Sequence, residues 1–142
     1  MRAKDILDLK GREVVTSTPD ALLGSVIETL AERNIGAVVI VDAKDAPVGI
    51  VSERDVVRLL AGAPTGFRET RIDSLMTTDL VTVGEEADLD EIKTVMTDRR
   101  IRHLPVVRDG RMVGILSIGD VVKHRIRAAR AEAEELKGYI HG

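Results

Sequence analysis

The spacing of apolar residues along this chain changes rhythm at short intervals, and each change marks an element. Ala3 to Leu9 suit a short helical turn, and Val14-Val15-Thr16 a brief strand that stops at Thr18-Pro19-Asp20. Leu23, Val26, Ile27 and Leu30 recur at steps of three and four, one buried face of a helix with Asp20 as N-cap and an end near Asn34. Ala37 to Val41 is a run of mostly branched apolar residues too short for a buried helix, which predicts a strand covered on both faces. Asp42 to Pro47 make a turn and Val48 to Val51 a second strand ending at Ser52; Glu53 to Ala61 then form a helix carrying Val56, Val57, Leu59 and Leu60. The stretch Gly62 to Gly66 terminates it.

The same order then returns. Leu80 to Val83 predict a strand and Leu89, Ile92, Val95 and Met96 a helix; Leu104 to Val107 and Met112 to Leu116 predict two strands around the turn Arg108 to Arg111, and a helix opens near Ile118. IGAVVIV at Ile35 to Val41 reappears as IRHLPVV at Ile101 to Val107, an offset of 66 (101 minus 35). Gly49-Ile50-Val51-Ser52-Glu53-Arg54-Asp55 reappears as Gly114-Ile115-Leu116-Ser117-Ile118-Gly119-Asp120, an offset of 65 (114 minus 49), so one residue is lost in the turn between. The expected fold class is α/β (α+β), two β-α-β-β-α repeats: a first over 1–62, a linker over 63–70, a second over 71–126 and a helical extension over 127–142. A unit of about 60 residues is marginal alone, so the repeats should fold against each other.

Composition removes several function classes. The 142 residues are 44% hydrophobic but include one Phe, one Tyr and no Trp, so the core is aliphatic and no aromatic platform exists for stacking bases. Without cysteine there is no disulfide, thiolate metal site or thiol nucleophile, which fits a reducing compartment. A net charge of -3 exerts no general pull toward nucleic acid or anionic membrane. No stretch approaches eighteen apolar residues and Met1 to Asp5 lack a signal-peptide core, so a soluble cytoplasmic protein is expected. His103, His124 and His141 are scattered, and neither a nucleophile elbow, a His-Glu-x-x-His pair nor a phosphate-binding Gly-Lys-Ser/Thr loop is present; catalysis and a metal site are not expected.

The repeated chemistry lies at Ser52-x-x-Asp55 and Ser117-x-x-Asp120. Each approximates a capping box, in which serine and carboxylate satisfy the first amides of the following helix. The same geometry suits a ligand, because a helix N-terminus attracts phosphate and an adjacent carboxylate accepts both hydroxyls of a ribose cis-diol. Gly49 and Gly114 just upstream would let a ligand or a neighbouring strand approach the backbone.

Taken together, Leu75-Met76-Thr77, the Val-Thr-Val strand, Ile-Arg-His-Leu-Pro-Val-Val and two copies of Gly-apolar-apolar-Ser-x-x-Asp resemble a pair of cystathionine-β-synthase (CBS) domains, a Bateman module, over about residues 1 to 126. The resemblance implies sheets packed about a pseudo-twofold axis, two clefts between the repeats, homodimers, and adenosine-containing ligands: AMP, ADP, ATP, S-adenosylmethionine or NAD(H). It implies ribose contacts from Ser52, Asp55, Ser117 and Asp120. Adenine would lie in one cleft against Leu7, Val15, Ile35 and Gly36, facing Ser117 and Asp120, and in the other against Met76, Val81, Ile101 and Arg102, facing Ser52 and Asp55. Arg54 and Arg102 stand where the first cleft has Gly119 and Gly36, so the second cleft should take more phosphate charge, through Arg54, Arg102, His103 and Arg58. The first cleft's shape is less defined: Val38-Val39 replace Leu104-Pro105, and the loop from Lys10 to Glu13 is three residues longer.

Val122, Ile126, Ala129, Ala133, Leu136 and Ile140 alternate steps of four and three, a thin coiled-coil seam weakened at Gly138 and suited to self-association or to docking a protein target. The basic residues Lys123 to Arg130 precede Glu132, Glu134 and Glu135 and accompany no nucleic-acid recognition module. The expected function is a non-catalytic regulatory module that binds an adenosine ligand between its repeats and signals by changing shape. The alternative is a structural interaction module with empty or vestigial clefts.

Overall fold

The computed structural model describes residues 1–62 and 64–141, with side chains through Gly138. The first half contains α1 (Ala3–Lys10), β1 (Thr16–Ser17), α2 (Leu23–Arg33), β2 (Ala37–Val41), β3 (Pro47–Ser52) and α3 (Glu53–Ala61). Two 3₁₀ turns, Phe67–Glu69 and Ile72–Ser74, lead to β4 (Val83–Gly84), α4 (Leu89–Arg99), β5 (His103–Arg108), β6 (Arg111–Ser117) and α5 (Ile118–His141). The strands form two three-stranded sheets, β1-β2-β3 and β4-β5-β6; in each the short first strand runs parallel to the middle one and the third antiparallel. This is the expected mixed α/β pair of repeats with a long C-terminal helix.

The middle strands explain themselves. Every residue of β2 is buried: Val38 and Ile40 enter the core with Leu23, Val26 and Leu30 of α2, while Ala37, Val39 and Val41 are covered on the opposite face. Other elements differ from expectation. β1 and β4 shrink to two residues, leaving Val14, Val15, Leu80 and Val81 outside the ladders. Asp20 does not cap α2; its carboxylate accepts from Thr18 Oγ1 at 2.7 Å, Leu22 occupies the cap position, and Leu23 N donates to Thr70 O at 2.8 Å. The linker supplies the first partner that a capping side chain was expected to supply. On α3 only Val56 is buried, while Val57 and Leu60 face solvent. α5 runs through Gly138 without a break.

Each leading segment packs on the sheet of the other repeat. Ala3, Ile6 and Leu7 of α1 are fully buried in a core with Ile92, Met96, Leu104, Val106 and Leu116, all from the second half. Reciprocally, Ile72 is fully buried in the core of the first half, with Leu75 and Met76 against it. The backbone repeats the exchange bond for bond. Ala3 N donates to Ala87 O at 2.8 Å and Leu89 N to Met1 O at 2.9 Å; Ile72 N donates to Ala21 O and Leu23 N to Thr70 O, both at 2.8 Å. Where the segments cross the sheets, Leu7 lies over Gly114 and Met76 over Gly49, so a Cβ on either glycine would fall on the side chain above it. These glycines are there because nothing larger leaves room for the exchanged segment.

Gly114→Val is therefore expected to destabilise the fold by roughly 1–3 kcal/mol in denaturant unfolding through overpacking against Leu7. The double variant Leu7→Ala/Gly114→Val should lose less than the two single losses together, because the residues touch. Strict additivity would mean that Leu7 and Gly114 do not share that contact.

Candidate functional site

The two Ser-x-x-Asp motifs form complete capping boxes at the starts of α3 and α5. Ser52 N donates to Asp55 Oδ2 at 2.8 Å, Ser52 Oγ donates to the same oxygen at 3.1 Å, and Asp55 N donates back to Ser52 Oγ at 3.3 Å. The corresponding distances for Ser117 and Asp120 are 2.8, 3.0 and 3.2 Å. Glu53 N donates to Gly36 O at 3.0 Å and Ile118 N to Arg102 O at 2.9 Å, so most donors of each first turn are already engaged. Little of the helix N-terminus remains for an anion. The carboxylates retain capacity, however: Asp55 Oδ1 has no partner among the described residues.

A cleft of about 520 Å³ opens beside Asp55, a volume that suits a small-molecule ligand. Its wall contains Ser52, Asp55, Arg54, Arg58, Ile101, Arg102 and His103, which the sequence reading placed in the second cleft. Gly36 and Ser117, assigned to the first cleft, also reach this wall: Gly36 lies just before β2 and Ser117 where β6 gives way to α5. Met76 is not in the wall; it is partly buried over Gly49. Val81 is partly buried against the core of the second half.

The first cleft is built differently. Leu7 has no exposed surface, being committed to the core under α1. Val15 and Ile35 are partly buried against the core of the first half. α1 continues to Lys10, whose Nζ donates to Asp120 Oδ2 at 2.7 Å and to Ile115 O at 2.9 Å. Burial opposes the charge of Asp120, but the hydrogen bonds from Lys10 and Ser117 outweigh it and hold its pKa below the ordinary aspartate value.

Sequence reasoning missed Lys10, Ile50, Glu53, Thr77, Arg100 and Ile118. The run Arg99-Arg100-Ile101-Arg102 was the available signal for Arg100, which ends α4 in the left-handed region at φ 54°, where the first repeat has Asn34 at φ 50°. That conformation costs a non-glycine residue about 1 kcal/mol, less for asparagine than for arginine. Arg54, Arg58, Arg100 and Arg102 make no ion pair among the described residues, and they share one cleft with Glu53 and Asp55. His103 is held below the ordinary imidazole pKa by burial, against Glu53 and with help from Lys10 and Arg102, so at neutral pH it is an uncharged hydrogen-bonding group rather than a cation. No cluster of three or more potential metal ligands occurs among the described residues, nor a helix long and apolar enough to cross a membrane.

The family model for the CBS domain matches residues 3–62 and 72–127. The chain belongs to the CBS domain family. A CBS-domain protein from Agrobacterium tumefaciens of known structure is 42% identical, with a TM-score of 0.83 over 88% of this chain and 99% of that one. The mitochondrial CBS domain-containing protein CBSX3 of Arabidopsis thaliana is 34% identical over 97% of this chain and 71% of its own length. A CBS domain protein of Pyrobaculum aerophilum, solved with AMP, is 28% identical, with a TM-score of 0.76 over 84% of this chain and 89% of that one. Paired CBS repeats and both Ser-x-x-Asp motifs thus stand in a family with an adenosine-ligand complex among its members.

The Lys10–Asp120 contact makes a prediction about acid. Because the folded-state pKa of Asp120 is depressed, its contribution is present above the unfolded value of about 3.9 and is lost as pH falls through the lower folded value. Lys10→Met should thus cost about 1 kcal/mol near pH 6 and progressively less below pH 4. A difference from the parent that is equally large at pH 6 and pH 2.5, measured by urea unfolding, would show that the carboxylate charge is not involved.

Proposed function

We propose that this CBS pair is a non-catalytic sensor of an adenosine nucleotide, bound in the cleft beside Asp55. The observation that carries the reading is the convergence, on one opening of ligand size, of a carboxylate oxygen and four arginines that have no partners among the described residues, with the apolar Ile50 and Ile101. Asp55 Oδ1 is the acceptor for the ribose diol. Ile101 and Ile50 with the adjoining backbone form the wall for the purine, which in an aliphatic site is held by burial and hydrogen bonds rather than by stacking. Arg54, Arg58 and Arg102, with Arg100, hold the phosphates; the positive excess over Glu53 and Asp55 favours AMP, ADP, ATP or NAD(H) over S-adenosylmethionine, whose sulfonium is cationic. The AMP complex of the Pyrobaculum aerophilum relative supports the ligand class.

The signal is conformational. The cleft wall draws on both repeats, so a bound nucleotide favours whichever relative placement of the repeats closes on it, and a protein target reads that placement. A second copy of the chain is the natural partner for the exposed seam on α5, where Val122, Ile126 and Leu136 are 51, 47 and 64% exposed; the side chain of Ile140 lies outside the described residues.

Thermal unfolding with AMP, ADP, ATP, NAD(H) and S-adenosylmethionine tests the reading. A ligand at a hundred times its dissociation constant adds about 2.7 kcal/mol, worth roughly 5–10 °C in a chain of this size. Asp55→Ala should remove that shift while leaving the unliganded protein folded, and Arg100→Ser should weaken ATP more than adenosine. Absence of a shift with every ligand would instead favour a structural module with empty clefts. For the seam, Ala129→Glu is expected to lower the molar mass seen by light scattering; an unchanged mass would place any self-association elsewhere.

A further inference from the structure

We infer that Lys10 is a built-in occupant of the first cleft, so that each chain takes up nucleotide beside Asp55 only. The inference rests on the nucleotide reading above and adds to it the number of ligands per chain and the residue that sets it.

The two repeats serve as internal controls for each other. Asp55 and Asp120 are equivalent and make the same capping bonds, yet among the described residues only Asp120 receives a lysine. Ile50 and Ile115 are equivalent too. Ile50 O accepts from the backbone amide of Thr77 at 3.0 Å, in a short bridge between the leading segment of the second repeat and β3, whereas Ile115 O accepts from Lys10 Nζ at 2.9 Å. The cause is the longer leading segment. Counted from the exchanged bonds, Asp79 is the counterpart of Lys10 (10 plus 69, the offset of Ile72 from Ala3). Asp79 carries the opposite charge, is 91% exposed and lies 3.6 Å from Arg99. In the second repeat the helical turn has collapsed to Ile72–Ser74 and the chain passes β3 with a single bridge at Thr77, which leaves Asp55 open; in the first, α1 persists for eight residues and its last side chain reaches across to Asp120.

Lys10 donates to the capping oxygen Oδ2 of Asp120 and not to Oδ1, which like that of Asp55 has no partner among the described residues; its ammonium neutralises the carboxylate and stands beside the position a ribose would take, its side chain 32% exposed and that of Asp120 17%. A nucleoside entering there must displace a tethered cation, which competes at the effective concentration of a group on the same chain. The rest of the cleft offers little in return. Where the second cleft has Arg54, Arg58, Arg100 and Arg102, the equivalent positions hold Gly119, Lys123, Asn34 and Gly36. Binding at Asp120 is thus weakened on the order of 10- to 100-fold relative to an unlatched cleft.

Isothermal titration of AMP into the full chain, its Lys10→Met variant and its Lys10→Arg variant tests this. Methionine keeps the aliphatic stem and leaves Ala3, Ile6 and Leu7 to hold α1 in place. The parent and Lys10→Arg should each bind one AMP, and Lys10→Met two, the second lost again in Lys10→Met/Asp120→Ala. Two sites in the parent, or one site in Lys10→Met, would overturn the latch while leaving the nucleotide reading intact. No AMP bound by the parent would count against the proposed function; in that event one site gained in Lys10→Met upholds the latch, and none gained overturns it.

Discussion

The packing of each leading segment over a glycine of the opposite sheet is the contact on which the rest of this molecule depends. Leu7 on Gly114 and Met76 on Gly49 are the same contact made twice, and each needs the other half of the chain. A three-stranded sheet with two helices has too little apolar surface to be stable alone. By exchanging α1 for the Ile72–Met76 segment, the repeats complete each other's cores, and neither core is whole until both halves have formed. The cleft at the seam follows directly, since the exchanged segments end beside the strand-to-helix junctions where Ser52, Asp55, Ser117 and Asp120 lie.

The aspartates show how one side chain can be structural and available at once. All the bonds that the Asp55 carboxylate accepts in capping converge on a single oxygen, Oδ2, so finishing the helix also fixes the carboxylate in orientation and leaves Oδ1 without a partner among the described residues. A carboxylate held in this way has little rotamer freedom left to lose when a ligand arrives, which favours binding without a new contact. The capping and ligand readings of Ser-x-x-Asp, which compete when only the sequence is in view, are compatible once it is known which oxygen each would use.

Much of the architecture was legible because it is periodic and written twice. The aliphatic run Ala37 to Val41, the helical stripe Leu23 to Leu30 and the Gly-to-Asp motif each announced an element, and their recurrence fixed the repeat. What escaped was set by contacts between segments far apart in the chain. Asp20 reads as a helix cap, but nothing local reveals that Thr70 O occupies the first amide of α2. Leu7 reads as a cleft wall when it is grouped with the repeat it precedes; it is buried because it belongs to the other sheet. Lys10 carries no motif, and its contact with Asp120 comes from α1 persisting to Lys10 where the second repeat has only the turn Ile72–Ser74, a difference the sequence shows only as a change in length. Arg100 was hidden by its position at a helix end, where a basic residue has an ordinary explanation in the helix dipole.

The asymmetry of the two clefts bears on what such a module can report. Two equivalent sites on one pseudo-twofold axis would respond to ligand with two similar pushes on the same seam, and intermediate occupancy would give an ambiguous state. On the proposed reading, with Lys10 holding one side closed, the seam would have a fixed half and a responsive half, and occupancy of the Asp55 cleft would be a single input. The free energy available for the shift is then the difference in affinity of one nucleotide for two arrangements of the repeats, and nothing more. The arginines are suited to supply that difference because they come from both repeats: Arg54 and Arg58 from α3, and Arg100 and Arg102 from the turn between α4 and β5. A phosphate gripped from both sides is bound best when the repeats are close, whereas four like charges without it repel each other and favour a wider seam. On the proposed reading, the same cations that would select the ligand would therefore provide the force that its arrival reverses.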